Sequence, residues 1–211
     1  MKNSILLIFC IFIFTSCSLK EEKEYNKPAS YHYNKMLKEI ASYQIDKADD
    51  TYTSLESEHR NSPLIPSALM IIATSHMADE EYQLAIYYFD EYIKRFEKNN
   101  PDGYVRYLKI KAKFLAFRQQ FREQKLVNDT LEDINSFIKT YPNSTYIDLV
   151  KTMQSRLYMA KAILDLEISS LYKRLDKPKA AKIYALRAKE SWKDISTIEP
   201  VDVPWYRAIF E

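Results

Sequence analysis

Few side chains in this sequence are of the types that carry out catalysis or bind metal ions. The three histidines, His32, His59 and His76, show no metal-ligand spacing and have no neighbouring cysteine to complete such a site. The single glycine, Gly103, excludes phosphate-binding loops and the Gly-x-Ser-x-Gly elbow of serine hydrolases, because both need several glycines. We therefore expect no bound metal, no cofactor and no catalytic serine.

Pairs of acidic residues are the remaining candidates for acid–base chemistry. Asp49 and Asp50, like Glu80 and Glu81, are adjacent in sequence, so on a helix they point about 100° apart. We interpret them as solvated helix surface and predict that the chain is not an enzyme. His76 lies among apolar neighbours, which favours a hydrogen-bonded interior or groove-edge histidine over a ligand or a pH switch.

Cys17 is the residue with the clearest chemical role. It ends the segment MKNSILLIFCIFIFTSC, in which Lys2 precedes an apolar run from Ile5 to Phe14. That run is too short for a permanent membrane span of about 20 residues, but it suits a secretory signal. Phe14-Thr15-Ser16-Cys17 resembles the lipobox of bacterial lipoproteins, although a leucine is usual where Phe14 stands. We predict lipid attachment at Cys17; the alternatives are an ordinary signal peptide cleaved nearby and an uncleaved anchor.

The rest of the composition indicates an exported protein whose stability comes from its apolar core. Cys10 lies in the signal, so the mature chain would contain no disulfide. The 31 Lys and Arg residues are balanced by 29 Asp and Glu residues and are interspersed with them, which does not favour nucleic acid as a partner. Ser18 after the cysteine is typical of lipoproteins sorted to the outer membrane, so we expect a lipid-anchored protein on its periplasmic face.

Apolar residues after Ala29 recur at helical spacing and repeat as helix pairs. The second pair contains Tyr82-x-x-Ala85-x-x-x-Phe89, and the first contains Ile45-x-x-Ala48-x-x-x-Tyr52, both typical of tetratricopeptide repeats. Small residues such as Ala48, Ala73 and Ala85 belong where two helices cross.

We predict an all-α, right-handed solenoid of about four tetratricopeptide-like helix pairs. The third pair is expected to start at Tyr104 and to be interrupted by a polar stretch at 118–129; the fourth runs from about Tyr146 to Leu175 and from Pro178 to Ile195. The predicted organisation is a lipoprotein signal peptide at 1–16, a lipidated linker at 17–28, the solenoid at 29–198 and a C-terminal tail at 199–211.

The order of these motifs resembles the BamD (ComL) family of tetratricopeptide lipoproteins over roughly residues 28–195. The motifs that carry the resemblance, besides Cys17, are Asp46-Lys47-Ala48, Asn61-Ser62-Pro63, Glu81-Tyr82-x-x-Ala85, Phe89-Asp90-Glu91-Tyr92-Ile93-Lys94-Arg95-Phe96, Tyr107-Leu108-x-x-x-Ala112 and Phe137-Ile138-x-x-Tyr141-Pro142-Asn143-Ser144. One departure is that the family usually has five repeats, whereas this sequence reaches Glu211 soon after the fourth.

The resemblance implies a non-catalytic component of the outer-membrane β-barrel assembly (BAM) complex. Such a protein acts as a scaffold and binds unfolded outer-membrane proteins, and its partners are the POTRA region of BamA and other lipoproteins of the complex. The alternative is another periplasmic tetratricopeptide lipoprotein, such as a secretion pilotin or a cell-envelope scaffold.

Two groups of residues are candidates for binding partners. The first helices of such repeats line the concave face, so the candidate peptide-binding residues are Tyr33, Leu37, Ile40, Met70, Thr74 and Met77. Leu37 and Ile40 could instead belong simply to the core. Trp205 and Tyr206 are candidates for partner docking; Pro200 and Pro204 favour extended backbone there, so Trp205 either caps the last helix or anchors a partner.

Overall fold

The computed structural model describes residues 26–119 and 124–193, and within these ranges the regular secondary structure is helical. The α-helices are α1 (Ala29–Ala41), α2 (Ile45–Glu58), α3 (Ile65–Ala78), α4 (Tyr82–Phe96), α5 (Tyr104–Gln119), α6 (Gln124–Thr140), α7 (Ile147–Arg174) and α8 (Pro178–Ser191). A short 3-10 turn, Glu97–Asn99, follows α4. In the described part of the chain, no helix is long and apolar enough to cross a membrane.

Consecutive helices pack against one another in pairs, α1 with α2, α3 with α4, α5 with α6 and α7 with α8. Each pair also contacts the next, through α2 and α3, α4 and α5, and α6 and α7. This arrangement confirms the predicted all-α solenoid of tetratricopeptide-like helix pairs.

The turns inside three of the four pairs share one backbone motif. Tyr43, Glu80 and Asp176 each adopt a positive φ, between 52° and 63°. The following amide donates a hydrogen bond to the carbonyl five residues earlier, as in Gln44 to Glu39, 2.9 Å, and Glu81 to His76, 2.8 Å. This is the Schellman ending of a helix, which usually employs glycine but is built here with larger residues.

Two apolar clusters form the core. The first unites the first two helix pairs with the start of α5, and the fully buried Ala48, Ala73 and Ala85 lie in it together with Phe89. Their burial agrees with the sequence interpretation, since only small residues let helix axes approach closely. The second cluster lies among α5, α6 and α7 and includes the buried Phe137.

The third and fourth pairs differ from the prediction at two helix boundaries. The predicted polar interruption at 118–129 is wrong in its second half, because α6 already begins at Gln124 and buries Leu126 and Val127. Polar neighbours on both sides hid these two apolar residues in the sequence. The last helix, expected to reach Ile195, ends at Ser191, where Trp192 adopts an extended conformation.

Candidate functional site

The six candidate peptide-binding residues lie on α1 and α3, which are the first helices of adjacent pairs and contact each other. None of the six is fully buried or fully exposed. Five pack with part of their surface against the first core cluster; these are Tyr33, Leu37, Ile40, Met70 and Met77. The sixth, Thr74, donates its hydroxyl hydrogen within its own helix, to the carbonyls of Met70 and Ile71 at 2.8 and 2.9 Å. The set therefore offers a half-exposed, mainly apolar surface.

A buried histidine holds the two helix pairs beneath this surface together. His76 of α3 is fully buried, and each of its ring nitrogens meets a carboxylate. Nδ1 lies 2.6 Å from Glu81, at the turn into α4, and Nε2 lies 2.9 Å from Asp49 of α2. Tyr88 of α4 stacks on the imidazole and donates its hydroxyl hydrogen to the same Asp49 oxygen, at 2.7 Å.

The two carboxylates determine the charge of this histidine. Burial alone would lower the pKa of His76, but the hydrogen bonds and the charges of Asp49 and Glu81 outweigh it and raise the pKa. The imidazolium form can donate from both nitrogens at once, which matches the two acceptors. Burial and the neighbouring Asp49 also raise the pKa of the Tyr88 phenol.

This network corrects the interpretation of the acidic pairs as solvated surface. Asp49 and Glu81 are hydrogen-bond partners of His76, and Asp49 is half-buried, although Glu81 is exposed like Asp50 and Glu80. The expectation of a satisfied interior histidine is confirmed. Sequence spacing could not identify Asp49 as a partner of His76, because Asp49 lies on another helix and the sequence does not distinguish it from the adjacent Asp50.

Ion pairs connect the second helix pair to its neighbours. Arg95 at the end of α4 pairs with Glu56 of α2. Lys109 of α5 lies 2.7 Å from Asp90 of α4, and 3.8 Å from Asp133 of α6. The Arg95–Glu56 and Lys109–Asp90 contacts join neighbouring helix pairs, whereas the Lys109–Asp133 contact lies within the third pair.

The last helix pair has a different surface. Six aliphatic side chains are 42–53% exposed, namely Leu149, Leu166, Leu171, Leu175, Ile183 and Leu186. Large exposed apolar residues gathered on one element often mark an interaction surface. The last helix pair is therefore richer in exposed aliphatic side chains than the other pairs of the described chain.

A polar cavity of about 370 Å³ lies where α6 meets this last pair, and Lys161, Asp165, Arg187 and Glu190 are among its lining residues. Asp165 is only 4% exposed, and its Oδ2 atom has no hydrogen-bond partner. Burial raises the pKa of the Asp165 carboxyl, although Lys161 and Arg187 act in the opposite direction. A deep, unsatisfied carboxylate at this place is costly to the fold.

The predicted lipid-attachment residue, Cys17, and the predicted docking residues, Trp205 and Tyr206, lie outside the described residues. The proposed signal peptide and the tail at 199–211 lie outside them as well. Their roles stay predictions.

Comparison with known proteins gives two matches that agree. The family model named YfiO, described as an outer membrane lipoprotein, matches residues 25–198. The outer membrane protein assembly factor BamD of Helicobacter pylori is 38% identical over 203 residues, which cover 95% of this chain and 92% of that protein. Together with the helix-pair solenoid, these matches show that the chain belongs to the BamD (YfiO) family of outer membrane lipoproteins.

Proposed function

We propose that the chain is a non-catalytic lipoprotein of the BAM complex that serves as a scaffold and as a receptor for unfolded outer-membrane proteins. The observation that carries this proposal is its likeness to an outer membrane protein assembly factor along nearly its whole length. A lipid on Cys17 would hold the solenoid at the periplasmic face of the outer membrane, where newly exported barrel proteins arrive.

The surface formed by α1 and α3 is the proposed receptor for these unfolded chains. Unfolded barrel proteins present varied apolar and aromatic side chains, which a rigid pocket could not accommodate. Met70 and Met77 suit this task because methionine is flexible and polarisable, and both are half-exposed. The His76 network beneath them keeps the two helix pairs in a fixed relation while the surface side chains adapt.

The last helix pair and the tail are the proposed docking region for the POTRA part of BamA. The exposed aliphatic side chains of α7 and α8 support this assignment, because burying them in an interface gains roughly 25 cal/mol per Å². Trp205 and Tyr206 follow this pair in the chain and would add aromatic anchors of the kind that dominate interfaces. Receptor and docking functions would then occupy opposite ends of the solenoid.

A pull-down in mild detergent through a C-terminal tag tests the docking assignment and the place of the protein in the BAM complex. Wild-type protein should recover BamA, and the double variant Leu171→Asp, Leu186→Asp should lose it. Ser170→Asp is the matched control, since it places the same charge at an exposed neighbour of Leu171 and should keep BamA. Recovery of a secretion or cell-envelope complex in place of BamA would leave the family membership intact but reject the assembly role.

The receptor assignment requires a separate readout. Met70→Ala with Met77→Ala should keep BamA in the pull-down but weaken photo-crosslinking of the solenoid to an unfolded barrel protein. Depletion of the protein should lower the amount of folded barrel proteins in the outer membrane. Unchanged crosslinking in the double variant would place substrate binding elsewhere, and unchanged barrel levels on depletion would reject the function.

Membrane attachment is tested by Cys17→Ala. If the lipid on this residue is the anchor, the variant should leave the outer-membrane fraction, and labelled palmitate should no longer be incorporated. Retention of the variant in that fraction after a wash that strips peripheral proteins would instead favour an uncleaved anchor.

A further inference from the structure

Two histidines that are far apart in sequence meet at the open end of the first helix pair. His32 lies in the first turn of α1, Glu58 is the last residue of α2, and His59 follows it directly. Donor atoms of these three residues lie within 4.8 Å of one another. Two imidazoles and a carboxylate make a donor set suited to zinc and neighbouring transition metals, whereas magnesium and calcium prefer oxygen atoms alone.

The distance between the first two donors fits a shared metal ion. Nε2 of His32 lies 3.4 Å from Oε2 of Glu58. Two ligands held at about 2.0–2.1 Å from a tetrahedral zinc ion are themselves separated by about 3.3 Å. The separation of these two atoms is therefore that of two ligands of one ion.

His32 also lacks the partner that a buried ring nitrogen requires. The residue is only 3% exposed, and Nε2 makes no hydrogen bond, because the nearby Glu58 carboxylate does not meet it with suitable geometry. An unsatisfied buried polar atom is uncommon and costs free energy in a folded protein. A metal ion between Nε2 and Glu58 would satisfy both groups.

His59 is oriented by a contact outside the metal-binding set. Its Nε2 lies 2.7 Å from the backbone carbonyl oxygen of Lys27, so the ring nitrogen donates its hydrogen there. In a neutral imidazole the other nitrogen, Nδ1, then carries the free lone pair. Histidine ligands of metal ions are commonly held by such a hydrogen bond to a carbonyl, which fixes both the tautomer and the ring orientation.

We propose that His32, Glu58 and His59 bind one divalent transition-metal ion of the zinc class, with solvent as the fourth ligand. The ion joins the start of α1 to the end of α2. It therefore secures the end of the solenoid at which α1 begins. This site is separate from the surface formed by α1 and α3 and from the last helix pair, so it does not depend on the proposed function.

The test uses full-length protein without a histidine tag, extracted from membranes in mild detergent. A chelator removes bound metal ions beforehand, and alkylation blocks any thiol that could bind zinc. Titration with Zn²⁺ by calorimetry should show one ion per chain, and Co²⁺ should give the intense visible absorption of a tetrahedral site. Glu58→Gln and His59→Gln should each weaken Zn²⁺ affinity by at least about tenfold. Both residues lie at the end of α2, where a substitution should leave the solenoid folded. Circular dichroism can verify that it does.

Glu132→Gln is the matched control, because it neutralises an exposed carboxylate on α6, in the third helix pair, and should leave the affinity unchanged. His32→Gln should abolish the Co²⁺ spectrum in protein that remains folded. Failure of wild-type protein to bind either ion would overturn the proposal and leave a simple His32–Glu58 ion pair. Equal affinity in wild type, Glu58→Gln and His59→Gln would overturn it too, by placing the ion elsewhere.

Discussion

Nε2 of His76 lies 2.9 Å from Oδ1 of Asp49, although the two residues are on different helix pairs. The contact joins α2 to α3 across the boundary between neighbouring repeats, inside the first core cluster. A polar contact therefore contributes to the interface between these two repeats, together with the apolar packing around it. The contribution of this contact to stability should depend on the protonation of His76 and on the presence of the Asp49 carboxylate.

The pKa shift of His76 predicts how stability depends on pH. Since the pKa in the folded state is raised above the ordinary value of 6.5, protonation stabilises the fold. This contribution is complete below pH 6.5 and is lost as the pH rises through the folded-state pKa. Thermal unfolding measured across that range should show the decline in wild type and a flatter profile in His76→Gln. Parallel profiles would contradict it.

Removal of the Asp49 carboxylate should destabilise the first two helix pairs. Asp49→Ala leaves a buried His76 nitrogen and the Tyr88 hydroxyl without their common acceptor, at a cost of about 1–3 kcal/mol. Urea unfolding measures this change. Asp50→Ala, at the adjacent exposed position, is the control and should stay within about 0.5 kcal/mol of wild type. Similar losses in both variants would indicate a general effect of removing negative charge near the start of α2, because alanine itself favours a helix.

Gly103 should tolerate no side chain. Its φ is +73°, and a Cβ atom there would lie 2.9 Å from carbon atoms of Phe137 and of Tyr141. Gly103→Ala should therefore lower the free energy of unfolding by about 1–3 kcal/mol. Ser136→Ala, at an exposed position of α6, should have little effect in the same denaturation experiment. If Gly103→Ala is as stable as the wild type, the two aromatic rings can move aside without cost.

Asp165 should be a residue whose neutralisation strengthens the fold. Its raised pKa means that the protonated carboxyl is favoured in the folded state, so its penalty appears as the pH rises through that pKa. Asp165→Asn should raise the melting temperature at pH 7 and have a smaller effect at acidic pH. Asp148→Asn, exposed in the first turn of α7, is the control. A lower melting temperature at pH 7 would mean that Lys161 and Arg187 stabilise the carboxylate.

The repeat architecture could be predicted because it depends on local spacing. Helical periodicity and the small residues Ala48, Ala73 and Ala85 are visible in any window of the sequence, and their burial follows from the packing of neighbouring helices. The start of α6 was harder to predict, because Leu126 and Val127 have polar neighbours in the sequence. They are buried through packing against the other helices of the second cluster.

The polar clusters could not be predicted for a related reason. His76 meets Asp49 across two helix pairs, and His32 meets His59 across the two helices of the first pair, so neither contact has a fixed sequence spacing. The half-exposed positions of Tyr33 and Leu37 likewise follow from how α1 packs on α3 rather than from residue type. For the candidate binding residues, the sequence could indicate the helix but not the degree of burial.

The division of the core into two clusters has a mechanical consequence. Met77 and Tyr107 are the partly buried side chains that pack against both clusters. The two clusters are also joined by direct packing of α4 on α5 and by the Lys109 ion pair with Asp90. A movement that separates the two clusters would therefore have to break contacts of Met77 and Tyr107, because each of them packs on both sides.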